Sequence, residues 1–233
     1  MPESINSILE VKLTEAMTVP VPEEDHGRFG PDSVEDVVQA IADRDAVVIG
    51  PGLGRKDKTL AFTLELFTHL KRPSLVDADA LFAASTDLSV LKKCEAPLVL
   101  TPHPGEMAQL SGTTVDEVQS NRLETARSFA QEHEVVLVLK GARTVIGLPG
   151  GDAYVNTTGT HAMASGGMGD VLSGVIGGLM AQGVEPALAA VAGVYIHGRA
   201  GELACETRGG SSVLASDVAD ALHKASNEFV QQA

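Results

Sequence analysis

Short apolar runs rich in β-branched residues alternate along this chain with longer segments of helical period, and that alternation leaves few ways to fold. A strand that reads as continuously apolar must be covered on both faces, as in a parallel sheet whose crossovers are helices. The pattern predicts an α/β fold, a mostly parallel central sheet with helices on both faces. Strands are predicted at 46–50, 75–77, 98–101 and 135–140, and helices at 58–70, 114–132, 169–182 and from Pro186 to about Cys205. In the segment 169–182, Val171, Leu172, Val175, Ile176, Leu179 and Met180 form one apolar stripe, and Gly183 is placed to end it. Ser216 is placed to cap a final helix through about Phe229, and Pro20 to Asp32 is the candidate for a mobile loop.

In such a sheet ligands lie beyond the carboxyl ends of the strands, so the residues just after each strand carry the chemistry. The strongest signal is the run from Asn156 to Gly174, whose core Gly166-Gly167-Met168-Gly169-Asp170 stands directly before the amphipathic helix. Glycines allow a tight turn that presents successive N–H groups to a phosphate, and the helix start adds partial positive charge. Asp170, in the first turn, can take a proton from a hydroxyl as that oxygen attacks phosphorus. A net charge of −14 argues against nucleic acid as a partner, so any anion must meet a local positive site of this kind. Cys94 and Cys205 stand apart from each other and from any His cluster, which indicates neither a disulfide framework nor a zinc site.

Other strand ends are similarly furnished. Gly50-Pro51-Gly52-Leu53-Gly54 frees the backbone for close approach to a ligand or is a plain β-to-α turn. Asp77 and Asp79 either cap a turn or order water, metal or substrate. His103 sits between two stiffening prolines in Thr101-Pro102-His103-Pro104-Gly105-Glu106, and Lys140 to Thr144 is either a phosphate contact or a solvated hairpin tip. His161 and His197 are read as structural, His197 as a hydrogen-bonded core residue.

Taken together and in order, these motifs resemble those of the NAD(P)H-hydrate dehydratases of the ribokinase-like superfamily, over most of the stretch from Ile49 to Gly174. The resemblance implies one ribokinase-like domain over 1–233 and ADP-dependent dehydration of the S-epimer of hydrated NADH or NADPH, a lyase reaction that restores the cofactor and gives AMP and phosphate. It makes Asp170 the catalytic base and a substrate contact, with Gly52, Gly54 and His103 also on the hydrated cofactor. Lys140, Gly141, Ala142, Arg143, Thr144, Gly167 and Gly169 would hold the nucleotide, and Glu106 would organise Mg²⁺ indirectly. Thr144 resembles the ADP-using bacterial pattern. A small-molecule kinase of the same superfamily would share the Gly-x-Gly-Asp chemistry but keep phosphate on its product.

The resemblance also implies an earlier strand and helix, opening with His-Lys-Gly, that this chain lacks; Pro2 to Leu9 looks like the residues that follow that unit. An N-terminally truncated domain missing a central strand is therefore expected, and an inactive nucleotide-binding module is a further reading. No secretory signal and no span of roughly 18 apolar residues is visible. A cytosolic homo-oligomer without a membrane partner is expected.

Overall fold

The computed structural model describes residues 1–210 and 212–232. Along the chain run α1 (Glu3–Lys12), α2 (Val34–Ile41), β1 (Val47–Ile49), α3 (Asp57–Phe67), β2 (Ser74–Val76), α4 (Ala78–Thr86), α5 (Ser89–Lys93) and β3 (Leu98–Leu100). They are followed by α6 (Pro104–Ser111), α7 (Val115–Ser120), α8 (Arg122–His133), β4 (Val136–Leu139), β5 (Val145–Gly147) and β6 (Ala153–Val155). Three helices close the chain: α9 (Met168–Ala181), α10 (Pro186–Arg208) and α11 (Ala215–Gln232).

The strands pair in sequence order, β1 to β4 parallel and β5 and β6 antiparallel. The predicted mostly parallel sheet is present, and β1 stands at its edge. Right-handed crossovers between successive neighbours place their helices on one side. Accordingly Val76, Leu98, Leu100, Leu137 and Leu139 pack with α3 to α8, while Leu75, Val99, Val136, Val138 and Ile146 face α9 and α10. The period of two in these sets is the strand pleat, and it explains why β2 to β5 read as unbroken apolar runs.

Small residues let the second layer approach closely. A Cβ at Gly177 of α9 would lie 2.4 Å from Cγ2 of Val48, and one at Gly193 of α10 would lie 2.6 Å from Cγ1 of Ile176. The α10 helix starts with Pro186, capped by a Glu185 side chain that accepts from the Leu188 N–H at 3.1 Å, and ends at Gly209 in the left-handed conformation. As anticipated, α9 gives way to Gly183, at φ +84°.

Several expectations need correction. The predicted helix over 114–132 is two, because Asn121 leaves the helical region at ψ 42° between α7 and α8. Ser216 is no cap: α11 already begins at Ala215, and Asp217 is the side chain that accepts from the Leu214 N–H at 3.0 Å. The strand after Lys140 turns back as the β5–β6 hairpin, which was not predicted. The segment expected to be a mobile loop is anchored at several points: Val21 is buried, Ser33 Oγ donates to the Pro22 carbonyl, and Glu24 pairs with Lys58. Among the described residues no helix is long and apolar enough to cross a membrane.

Candidate active site

The carboxyl ends of β2, β3 and β4 meet in a buried cluster of charge. Asp77, 2% exposed, follows β2; its Oδ1 accepts from the Ala78 N–H at 2.9 Å and from Lys140 Nζ at 2.7 Å, and its Oδ2 accepts from Ser173 Oγ at 2.8 Å. Lys140, which follows β4, also lies 3.7 Å from Glu106 Oε2. That same Oε2 accepts from the His103 N–H at 2.8 Å, and His103 Nδ1 accepts from the N–H groups of Gly105 and Glu106 at 3.0 and 3.2 Å. His103 and Glu106 are thus a reciprocal cap on α6, which fixes both at the end of β3. Charges this deep persist only when paired, and here one lysine serves two carboxylates.

Above this floor opens a cavity of about 600 Å³, bounded by the Lys140–Thr144 turn, the loop from Asn156 to His161, Met163, Ala164, the start of α9 and the Val194–Gly198 side of α10. Gly167 precedes α9 at φ +85°. A Cβ on Gly169 would stand 3.6 Å from Lys140 Nζ and 3.7 Å from Asp77 Oδ2, so the helix start rests against the buried cluster. Its first N–H groups have no intrahelical acceptors, which suits an anion. Asp170 is exposed, and no hydrogen bond or ion pair holds its carboxylate among the described residues.

The walls of this cavity are held from behind. Arg122 Nη2 donates to the carbonyls of Leu139 and Lys140 at 2.9 and 3.3 Å, and its guanidinium lies beneath Gly141, where a Cβ would meet it at 3.1 Å. Thr144 Oγ1 closes the turn on the Gly141 carbonyl at 3.1 Å. On the other wall, Thr158 Oγ1 donates to the Tyr195 carbonyl at 2.9 Å and the Gly159 N–H donates to Glu202 Oε1 at 2.8 Å. This contact exists because α10 carries Gly198 and Gly201: Cβ atoms there would lie 2.3 Å from Thr158 Oγ1 and 2.1 Å from Met163 Sδ.

The glycine turn after β1 belongs to the same edge. Gly50, at φ +131°, passes so close to β2 that a Cβ would lie 1.7 Å from the Asp77 carbonyl oxygen, a position no other residue fits. Asp79 fastens the turn, accepting from the Gly54 N–H at 2.8 Å and from Arg55 Nε at 2.6 Å, while Gly52 stays exposed and open. Arg55, His103, Glu106 and Gln109 line a second cavity of about 480 Å³ with the Thr113–Val115 segment.

The two aspartates left open between capping and chemistry are therefore partnered anchors. Sequence reasoning passed over Ser173, although a hydroxyl one turn beyond Asp170 within the apolar stripe was a signal. It also missed Arg122, whose role depends on a contact no local pattern announces. His197 was expected to be a satisfied core residue. The ring is indeed largely buried and hydrogen-bonded to the Met168 backbone, but its Nε2 is unpartnered among the described residues, and burial pushes the ring pKa down to about 4 against the smaller opposing effect of that hydrogen bond.

The family model described as NAD(P)H-hydrate dehydratase matches residues 2–224. The chain belongs to this family. It is 46% identical over 222 residues to the bifunctional NAD(P)H-hydrate repair enzyme Nnr of Moorella thermoacetica, covering 95% of this chain and 42% of that protein. With the ADP-dependent (S)-NAD(P)H-hydrate dehydratase of Neisseria meningitidis it shares 38% identity over 199 residues, 82% of this chain and 67% of the relative. The solved Bacillus subtilis ADP/ATP-dependent NAD(P)H-hydrate dehydratase, co-crystallised with ATP and Mg²⁺ and soaked with coenzyme A, superposes with a TM-score of 0.78 at 31% identity, covering 98% of this chain and 79% of that one. The chain spans about two-fifths of the length of the bifunctional relatives it matches.

Proposed function

We propose that this chain dehydrates the S-epimer of hydrated NADH or NADPH with ADP as phosphoryl donor, and the observation that carries the reading is an Asp170 unpartnered among the described residues, on the first turn of α9, beside a cavity lined by Lys140 to Thr144 and Gly169. The nucleotide lies in this cavity, its phosphates on the free N–H groups from Gly167 to Gly169. Gly52, Gly54 and His103 hold the hydrated nicotinamide, and Lys140, fixed in place by Asp77, gives the nucleotide a hydrogen-bond donor at the end of β4. Asp170 takes the proton of the C6 hydroxyl as its oxygen attacks the β-phosphorus of ADP, and AMP leaves. The helix start stabilises charge on the transferring group. Electron push from the ring nitrogen then expels phosphate from C6, loss of the C5 proton restores the double bond, and the cofactor is repaired.

Mg²⁺ fits this site as an ion carried mainly by phosphate oxygens and water. No cluster of three or more His, Cys, Asp or Glu side chains suited to a metal occurs among the described residues, and Glu106 Oε2 is already engaged by the His103 N–H at 2.8 Å. Glu106 would act on the ion indirectly, through water. When bound, the ion supplies neutralisation of phosphate charge.

Product analysis tests the reading: hydrated NADPH with ADP and Mg²⁺ is expected to give NADPH, AMP and phosphate in equal amounts. A stable phosphate ester would instead identify a kinase, and failure to turn over would remove the activity. Side-by-side rates with ADP and ATP are expected to favour ADP, the donor implied by the Lys140–Thr144 turn.

A further inference from the structure

The second cavity, of about 480 Å³, opens beside the glycine turn after β1 and the cap of α6, with Arg55, His103 and Gln109 in its lining. Arg55 is fixed at one edge of its guanidinium only. Its Nε donates to Asp79 Oδ1 at 2.6 Å, and its Cζ lies 4.6 Å from the centre of the Phe82 ring. No hydrogen bond engages Nη1 or Nη2 among the described residues, and the side chain is 47% exposed, so a fork already oriented through Nε remains within reach of a ligand. His103, 56% exposed, offers a donor to the same space. Its Nδ1 accepts from the N–H groups of Gly105 and Glu106, so the neutral ring carries its proton on Nε2. The nearest oxygen of Glu106 stands 3.5 Å from that nitrogen, outside ordinary hydrogen-bond range, and the other oxygen of that carboxylate is spent on the His103 N–H.

A planar guanidinium held through Nε presents its terminal N–H groups as a fork that matches a phosphate. In a chain of net charge −14 such a group is the kind of local positive site that an anionic substrate needs. Arg55 follows Gly54 directly, and Cβ atoms on Gly52 or Gly54 would meet nothing within 4 Å, so a ligand can lie along this turn. With the hydrated nicotinamide on Gly52, Gly54 and His103, a single ribose separates that ring from the pyrophosphate of the dinucleotide. The 2′-phosphate of NADPH lies farther off, on the adenosine half. We propose that Arg55 binds the pyrophosphate of the hydrated dinucleotide through its terminal nitrogens, which makes the second cavity the substrate's phosphate subsite. The proposal rests on the hydrated-cofactor reading of this edge.

Calorimetric titration of the full chain without ADP, so that no turnover intervenes, tests it with the hydrated forms of NADPH, NADH, reduced nicotinamide mononucleotide and reduced nicotinamide riboside. The three phosphate-bearing ligands are expected to bind roughly ten-fold more tightly than the riboside, the low end for hydrogen bonds to a charged group, because Asp79 and solvent offset part of the attraction. In Arg55→Met, which keeps an unbranched stem and removes the fork, that advantage is expected to shrink to within about three-fold while riboside binding is unchanged. Arg55→Lys, a point charge without the fork, keeps part of it. Riboside and mononucleotide binding equally to the unmodified chain overturns the proposal without any variant. A full phosphate advantage persisting in folded Arg55→Met overturns it, and so does an equal loss for all four ligands, which would make Arg55 only the fastening of the glycine turn. A loss confined to hydrated NADPH overturns it in favour of the 2′-phosphate. If none of the four binds while ADP does, the substrate reading of Gly52, Gly54 and His103 falls, and the proposal with it.

Discussion

Asp77 and Asp170 stand at the floor and the mouth of one site, and the fold treats them in opposite ways. Asp77 is 2% exposed and spends its oxygens on Ala78, Lys140 and Ser173; Asp170, next to the Gly169 that rests on this cluster, is exposed and engages nothing among the described residues. Removing a carboxylate from water is costly enough that the floor must supply partners for it, and those partners then fix its position. At the mouth, solvent and the helix start tolerate a free charge, so the group stays available to a ligand. Matched groups hold the site in place, and unmatched ones are where substrates are expected to act.

The sharpest way to break this contrast is Asp170→Asn. Turnover should fall by roughly 10²- to 10⁴-fold, the contribution of a positioned general base, while ADP affinity and the thermal midpoint stay near their original values. Loss of stability in this variant would make Asp170 a structural carboxylate after all. Asp77→Ala should do the converse through the fold: stripping a buried pair of one partner is expected to cost about 3–5 kcal/mol in urea unfolding. A neutral outcome would mean that Lys140 finds an equivalent partner in Glu106.

His197 supplies a pH test of somewhat smaller size. Its pKa is depressed from the ordinary 6.5 to about 4 in the fold, so as pH falls the unfolded chain takes up the proton first. The stability involved is fully present above pH 6.5 and is lost as pH falls toward 4, by on the order of 3 kcal/mol. Urea unfolding at pH 7 and pH 4.5 should therefore show a shallower acid loss in His197→Phe than in the unmodified chain. The smallest effect is expected for Arg122→Met, which removes the donors to the Leu139 and Lys140 carbonyls: about 1–2 kcal/mol of stability and a modest weakening of ADP binding. Unchanged ADP binding would show that the Lys140–Thr144 turn keeps its shape unaided.

Much of the frame was legible because its signals are local. The buried strands announce themselves by unbroken apolar runs, and α9 by its stripe and its Gly-x-Gly-Asp opening. The β5–β6 hairpin was lost because β6, a half-exposed strand at the sheet edge, makes no unbroken apolar run. The break at Asn121 was lost because one residue between two good helical segments carries little weight. At the site, the sequence named the positions after each strand but could not say which would pair. That Lys140 would lie on Asp77 is decided by a contact across 63 residues, and Ser173 joins them from 96 residues beyond Asp77. The unsatisfied Nε2 of His197 went unforeseen for the same reason, since it is visible only once its neighbours are in place.

The strand order has a consequence for how the molecule is made. Crossover helices α3 to α8 cover one face of the sheet as each strand is added, but Leu75, Val99, Val136 and Val138 on the other face wait for Leu172, Ile176, Met180 and Val194. The interval between Leu75 and Leu172 is about a hundred residues, which at about 5–20 residues per second is roughly 5–20 s of synthesis. During that time a growing chain presents a bare apolar surface to its surroundings, and a stalled or prematurely ended one would present it indefinitely. Because α9 both closes that surface and carries Asp170, a nascent chain acquires its reactive group in the same step that makes it safe from sticking to its neighbours.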